Sequence, residues 1–194
     1  MEKKFRVGLY FGSFNPVHVG HLIIAESFLN EAQLNQVWLV VSPQNPLKEK
    51  KTLASEADRF QMVELATQNH PYIKPSNVEF LLPKPSYTID TLVHLTIKFP
   101  NYEFSLLMGE DNLGTLHKWK NYEAILKNYD IYVYPRKDSS KPMVHSERIK
   151  RIQAPLIELS ATEFRRLRAA KKHCRFMVPP AVYEYIDKNV LYVH

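Results

Sequence analysis

The sequence predicts an α/β fold, a doubly wound and mostly parallel sheet with helices on both faces and a small C-terminal helical extension. Three features point to it. An apolar run, Phe5 to Phe11, feeds through Gly12 into a segment where Leu22, Ile23, Ala25, Phe28 and Leu29 recur at helical spacing, the mark of one buried face. A second run, Val37 to Val41, is short, β-branched and continuous, as in a strand covered on both sides. Strand, helix and strand in that order and spacing make a right-handed βαβ unit.

Gly12 permits a tight bend after the first strand, where a side chain would obstruct the chain. Such a strand-to-helix bend aims unpaired backbone N–H groups and the positive end of a helix dipole at whatever lies above it, and phosphate is the usual guest. His18 and His21, three residues apart at the helix start, can both face the bend. A lone ring there would more often cap or pack. Two rings behind Gly12-Ser13-Phe14-Asn15-Pro16 point instead to a site for a charged phosphorus centre.

The loop Pro43 to Lys48 follows at the C-terminal end of the second strand, the side where open α/β sheets bind ligands. Lys48 in it is either a phosphate contact or one member of a flexible basic loop. Ser55 is the expected cap of a helix that buries Phe60, Met62, Val63, Leu65 and Ala66 and stops at Asn69-His70-Pro71. Ile73 to Leu82 reads as an extended edge segment interrupted by Pro75. Ser86 is then the expected cap of a helix carrying Ile89, Leu92, Val93, Leu95 and Ile97.

Glu103 to Met108 and Ile131 to Tyr134 are further strands, and Leu156 to Leu159 reads as the last short one. Ser160 with Glu163 three residues on makes a capping box. Val178-Pro179-Pro180 precedes a final helix with Val182, Tyr183, Tyr185 and Ile186. Lys137 to His145 reads as a mobile loop within a single domain spanning residues 1–194.

Composition sets the bounds. With 45% hydrophobic and 24% charged residues among 194, the chain can bury a full core as one soluble domain. A single cysteine, Cys174, excludes an intramolecular disulfide framework and fits a reducing compartment. No signal peptide and no apolar stretch of membrane-spanning length is evident, so the expected location is cytoplasmic, without membrane partners. A formal charge of +6 suits anionic partners, nucleotides and nucleic acids alike.

The pattern Gly12-Ser13-Phe14-Asn15-Pro16-Val17-His18-Val19-Gly20-His21 resembles the signature G-S-F-[DN]-P-x-H-x-G-H of nucleotidyltransferases with a Rossmann-like fold. Later segments resemble one branch, the bacterial nicotinate mononucleotide adenylyltransferases. Ser86 to Leu92 matches its S-Y-T-x-D-T-L, Gly109-Glu110-Asp111 its G-x-D, and Trp119 its stacking tryptophan. Ser160 to Arg165 is similar to I-S-S-T-x-[IF]-R, with Ala161 replacing a serine, and Leu47 stands where a histidine is usual.

The resemblance implies adenylyl transfer from ATP to nicotinate mononucleotide, giving deamido-NAD and pyrophosphate. It implies His18, His21 and Arg165 as catalytic residues. ATP would be held by Gly12, Ser13, Phe14, His18, His21, Lys48, Ser160, Thr162 and Arg165. The acceptor would be held by Asn15, Thr88, Asp111 and Trp119, the last stacking on the pyridine ring or else serving as a core residue. Mg2+ is expected to arrive with ATP, with no protein metal cage. No nucleic acid partner is expected, and a homo-oligomer stays open. Other readings are a relative acting on nicotinamide mononucleotide or phosphopantetheine, or a non-catalytic nucleotide- or RNA-binding module.

Overall fold

The computed structural model describes residues 4–43, 53–137 and 144–193. Among these residues six strands, β1 (Phe5–Gly12), β2 (Gln36–Val41), β3 (Ile73–Ser76), β4 (Tyr102–Gly109), β5 (Ile131–Tyr134) and β6 (Ile149–Arg151), pair in parallel in the order β3-β2-β1-β4-β5-β6. The helices are α1 (Val19–Glu31), α2 (Glu56–Thr67), α3 (Thr88–Lys98), α4 (Glu110–Thr115), α5 (Tyr122–Asn128), α6 (Ala161–Ala169) and α7 (Pro180–Lys188). A parallel sheet must be covered on both faces, and the alternation of side chains along each strand decides which face each residue serves.

Tyr10, Val37, Leu39 and Val41 join Ile24 and Phe28 of α1, Met62 of α2, Phe164 of α6 and Val182 of α7 in one core layer. Val7, Leu9, Val40, Leu106 and Met108 join Leu92 of α3, Leu113 of α4 and Ile125 of α5 in the other. Each such side chain, fully buried, contributes about 1.5–3 kcal/mol. Strand order reverses at β1, which pairs with β2 on one side and β4 on the other. The crevice beyond the carboxyl ends of β1 and β4 is therefore the topological switch point, the usual ligand position in such sheets.

Three expectations need correction. Leu156 to Leu159 is not a strand. The hydroxyl of Tyr134 donates to the Pro155 carbonyl at 2.8 Å and accepts from the Ile157 N–H at 2.8 Å, so a phenol takes the backbone groups a neighbouring strand would have used. The sixth strand is instead Ile149–Arg151, too short and too polar to carry an alternating signal. The extended segment ends at Ser76, and Val78–Leu81 is a single 3-10 turn that sends Glu79 inward. Ser86 does not cap α3: the helix begins at Thr88, Tyr87 takes the cap position, and the Ser86 hydroxyl lies one residue too early to reach a first-turn N–H. The helix carries Val93 and Ile97 as expected, on its outer side, exposed by 44% and 75%.

Candidate active site

The bend after β1 is closed by two imidazoles that cap each other. His18 is the N-cap of α1; its Nδ1 accepts the His21 N–H at 3.3 Å, and His21 Nδ1 accepts the His18 N–H at 3.2 Å. The rings stack with centroids 3.6 Å apart and planes 20° from parallel. A nitrogen that accepts an amide N–H carries no proton, so in each neutral ring the proton must sit on Nε2. Burial, reinforced by the positive charge of Arg136, pulls the His18 imidazole down to about 4, so that ring is neutral at pH 7. Two hydrogen-bond donors of fixed tautomer result.

Close packing keeps them in place. A Cβ at Gly20 would lie 2.9 Å from Ile157 Cγ2 and 3.1 Å from His18 Nδ1, so a side chain there would displace the ring. Phe14, at φ 44°, turns inward and packs edge-on against the Tyr10 and His21 rings. Its buried side chain leaves only its backbone for a nucleotide.

Arg59 fixes the bend from below, and the sequence reading missed it. Its guanidinium, fully buried, donates to the carbonyls of Ser13 (2.7 Å), Ser42 (2.7 Å), Pro43 (3.0 Å) and Ala54 (3.1 Å). The available signal was its place on the apolar face of α2, three and four residues before Met62 and Val63. Asn15, expected to contact substrate, is 5% exposed, and its Oδ1 accepts from the Ala54 N–H at 3.1 Å and the Tyr192 hydroxyl at 2.8 Å. Its carboxamide oxygen is thus committed to tying the bend to the C-terminal segment.

Across the crevice, Ser160 caps α6 by accepting the Glu163 N–H at 3.1 Å. The expected capping box is only half made, because the Glu163 carboxylate turns to Arg166 at 2.7 Å. Arg165 reaches the bend, with Nη1 donating to the Asn15 carbonyl at 2.6 Å and Nη2 to Thr162 Oγ1 at 3.3 Å. His18, His21, Thr162 and Arg165 therefore gather around Gly12 to Asn15. Lys48 and Leu47 lie outside the described residues, as do 138–143 of the expected loop.

The expected acceptor residues flank this group. Thr88 opens α3, whose first amides have no intrahelical acceptor. Trp119, half-buried, follows a 3-10 turn, and its own N–H is spent on the Leu116 carbonyl at 2.9 Å. Lys120 pins the two segments together through its side chain: its Nζ lies 2.8 Å from Asp90 Oδ2 and 4.6 Å from the Tyr87 ring centroid. Asp111, just past β4, lies 3.5 Å from Arg136 Nε, and both line a cleft of about 450 Å3 with Tyr134, Ile157 and Glu158. Arg136 was also missed. Among the described residues no cluster of three or more carboxylate, imidazole or thiolate groups could hold a metal by itself.

Over residues 9–167 the chain matches the family described as Cytidylyltransferase-like. Two relatives carry the name "Probable nicotinate-nucleotide adenylyltransferase". That of Flavobacterium johnsoniae is 54% identical over 190 residues, and that of Flavobacterium psychrophilum 52% over 190, each covering 96% of this chain and 98% of the relative. Among solved structures, Plasmodium falciparum nicotinic acid mononucleotide adenylyltransferase complexed with NaAD has the same fold, at TM-score 0.79 and 18% identity over 96% of this chain and 97% of that one. The same enzyme complexed with APC also gives 0.79, at 18% identity and 98% coverage of both chains.

Proposed function

The chain belongs to the nicotinate-nucleotide adenylyltransferases of the cytidylyltransferase-like family, enzymes that join ATP and nicotinate mononucleotide into deamido-NAD, and we propose how its residues divide that work. A phosphate oxygen of nicotinate mononucleotide attacks the α-phosphorus of ATP; the bond from that phosphorus to the bridging oxygen breaks, and pyrophosphate leaves. The attacking monoester has a second pKa near 6 and is largely ionised at neutral pH, so no general base is required. What remains is to align two anions and to neutralise charge that grows at phosphorus and on the leaving group.

The observation that carries this reading is the reciprocal His18–His21 cap. It gives two neutral rings, protonated on Nε2, at the mouth of a phosphate-binding bend. Those donors suit the α-phosphate. Arg165, already at the bend, is assigned the triphosphate tail with Ser160 and Thr162, and the Gly12 to Phe14 backbone supports the nucleotide. Magnesium enters as part of the MgATP substrate. The open amides at Thr88 are assigned the nicotinate carboxylate, and Trp119 the pyridine face, where a cation over an indole gains about 1–2 kcal/mol. The small-molecule substrates suit a cytoplasmic enzyme, and no described helix is long and apolar enough to cross a membrane.

Two carboxylate oxygens accept equally well from paired N–H donors, whereas a carboxamide would turn an NH2 toward one of them and leave both groups unpaired. Pyrophosphate release with ATP and each of nicotinate mononucleotide, nicotinamide mononucleotide and phosphopantetheine tests the assignment. The expected result is a kcat/KM for nicotinate mononucleotide at least about tenfold above the others. A preference for the amide, or for phosphopantetheine, would overturn it.

A further inference from the structure

Glu79 is a carboxylic acid where packing alone would favour an apolar side chain. It sits in the 3-10 turn after β3, 2% exposed. Its Oε1 accepts the Thr91 hydroxyl at 2.9 Å, and the Ser42 hydroxyl lies close enough to its carboxyl to favour the ionised form. Burial pushes its pKa up, and the two hydroxyls partly oppose that shift. Burying a carboxyl is unfavourable unless its hydrogen bonds accomplish something in return.

What they accomplish is visible at both ends. Thr91, fully buried, lies one turn beyond Thr88 in α3. Ser42, the first residue past β2, donates its N–H to the Gly12 carbonyl at 2.9 Å. Its own carbonyl accepts from Arg59 Nη1 at 2.7 Å, and the same nitrogen donates to the Ser13 carbonyl at 2.7 Å. Hydrogen bonds thus join the bend beneath the imidazoles to Ser42, and Glu79 to the first turn of α3, with the Ser42 hydroxyl beside the Glu79 carboxyl between them.

We propose that this buried chain, Ser13–Arg59–Ser42–Glu79–Thr91, sets the separation between the ATP phosphates and the acceptor, with Glu79 as its central positioning residue. It rests on the assignment of the α3 start to the acceptor. Glu79 and Thr91 are too deeply buried to touch either nucleotide, so they act through the segments they hold. Two reactants bound in separate halves of a crevice react only when their atoms are in line, and a misplacement of about 1 Å lowers the rate by up to about a hundredfold.

The test compares wild type, Thr91→Val, Glu79→Gln, Glu79→Leu and the Thr91→Val/Glu79→Leu double variant. It measures calorimetric binding of ATP alone and of nicotinate mononucleotide alone, kcat with both saturating, and the thermal midpoint. Thr91→Val and Glu79→Leu are expected to lower kcat by at least about tenfold while each nucleotide alone binds within about threefold of wild type. The double variant should be no slower than Glu79→Leu, because both substitutions cut one chain. Glu79→Gln, which keeps an acceptor for one hydroxyl and offers an N–H to the other, should regain most of the rate. A purely structural role would lower the thermal midpoint and leave kcat of the folded enzyme alone. Saturated kcat within about twofold of wild type in Thr91→Val, the near-isosteric variant most certain to fold, overturns the proposal, as do losses that multiply in the double variant. An inactive wild type would overturn the assigned function and this inference with it; an active wild type with unaffected variants removes this inference alone.

Discussion

Replacing His18 or His21 with alanine is expected to lower kcat at least a hundredfold and leave the fold in place. Each ring offers one donor of fixed tautomer, Nε2–H, because its Nδ1 is held by the other's backbone amide. Loss of one preorganised donor to a developing oxyanion typically reduces turnover by about 10²–10³. The lost N-cap at His18 should weaken α1 by only about 0.5–2 kcal/mol, which a domain of this size tolerates. Steady-state pyrophosphate release, with far-ultraviolet circular dichroism on the same samples, checks both parts; normal turnover in the two variants would end the assignment.

The same ring has a pH signature. His18 is lowered in the folded protein to about 4 against 6.5 when free, so below 6.5 the unfolded chain binds the extra proton first. Stability tied to His18 is therefore fully present above pH 6.5 and declines as the pH falls toward 4, by on the order of 3 kcal/mol across the window. His18→Gln should flatten that part of the curve. Because the ring stays neutral above the window, kcat should show no His18 ionisation between about pH 6 and 9.

Arg59→Met is expected to lower unfolding stability by about 4 kcal/mol or more. The guanidinium is fully buried and serves four carbonyls on different segments: the bend, the end of β2 and the approach to α2. Methionine fills most of the volume and supplies no donor. Each carbonyl left unpaired away from water costs about 1–3 kcal/mol, and partial relaxation keeps the total below the sum. Burial lowers the Arg59 pKa, yet an arginine remains charged, so the substitution also removes a positive charge behind the proposed phosphate site. Arg59→Lys should recover only part of the loss, since an ammonium cannot reach carbonyls on four sides. Urea unfolding measures both; a loss under about 1 kcal/mol for Arg59→Met would contradict the role given to it.

What could be read in the chain and what could not divide along physical lines. Long, continuous apolar runs such as Phe5 to Phe11 and Val37 to Val41 announce buried parallel strands, and β1 and β2 follow them closely. Ser55 and Ser160 cap the helices they were expected to cap because that chemistry is local. Contacts made at long range leave no such trace. Ile149–Arg151 becomes a strand because β5 offers it an edge, while Leu156 to Leu159, the better pattern, is claimed by one phenol, that of Tyr134. The site divides in the same way. His18, His21 and Arg165 are legible in a motif, whereas Arg59, Glu79 and the Lys120 side chain become significant only when the fold sets carbonyls, hydroxyls and a carboxylate beside them. Asn15, read as a substrate contact, has its Oδ1 occupied by the distant Tyr192 and by Ala54.

The position of the adenylyl phosphorus relative to the paired rings is the most direct measurement, obtained from crystals of the enzyme with deamido-NAD bound. Oxygens of that phosphate are expected within about 3 Å of Nε2 of His18 or His21, with the nicotinate carboxylate at the start of α3. A phosphate lying beyond hydrogen-bond reach of both rings, in well-ordered product, would contradict that placement.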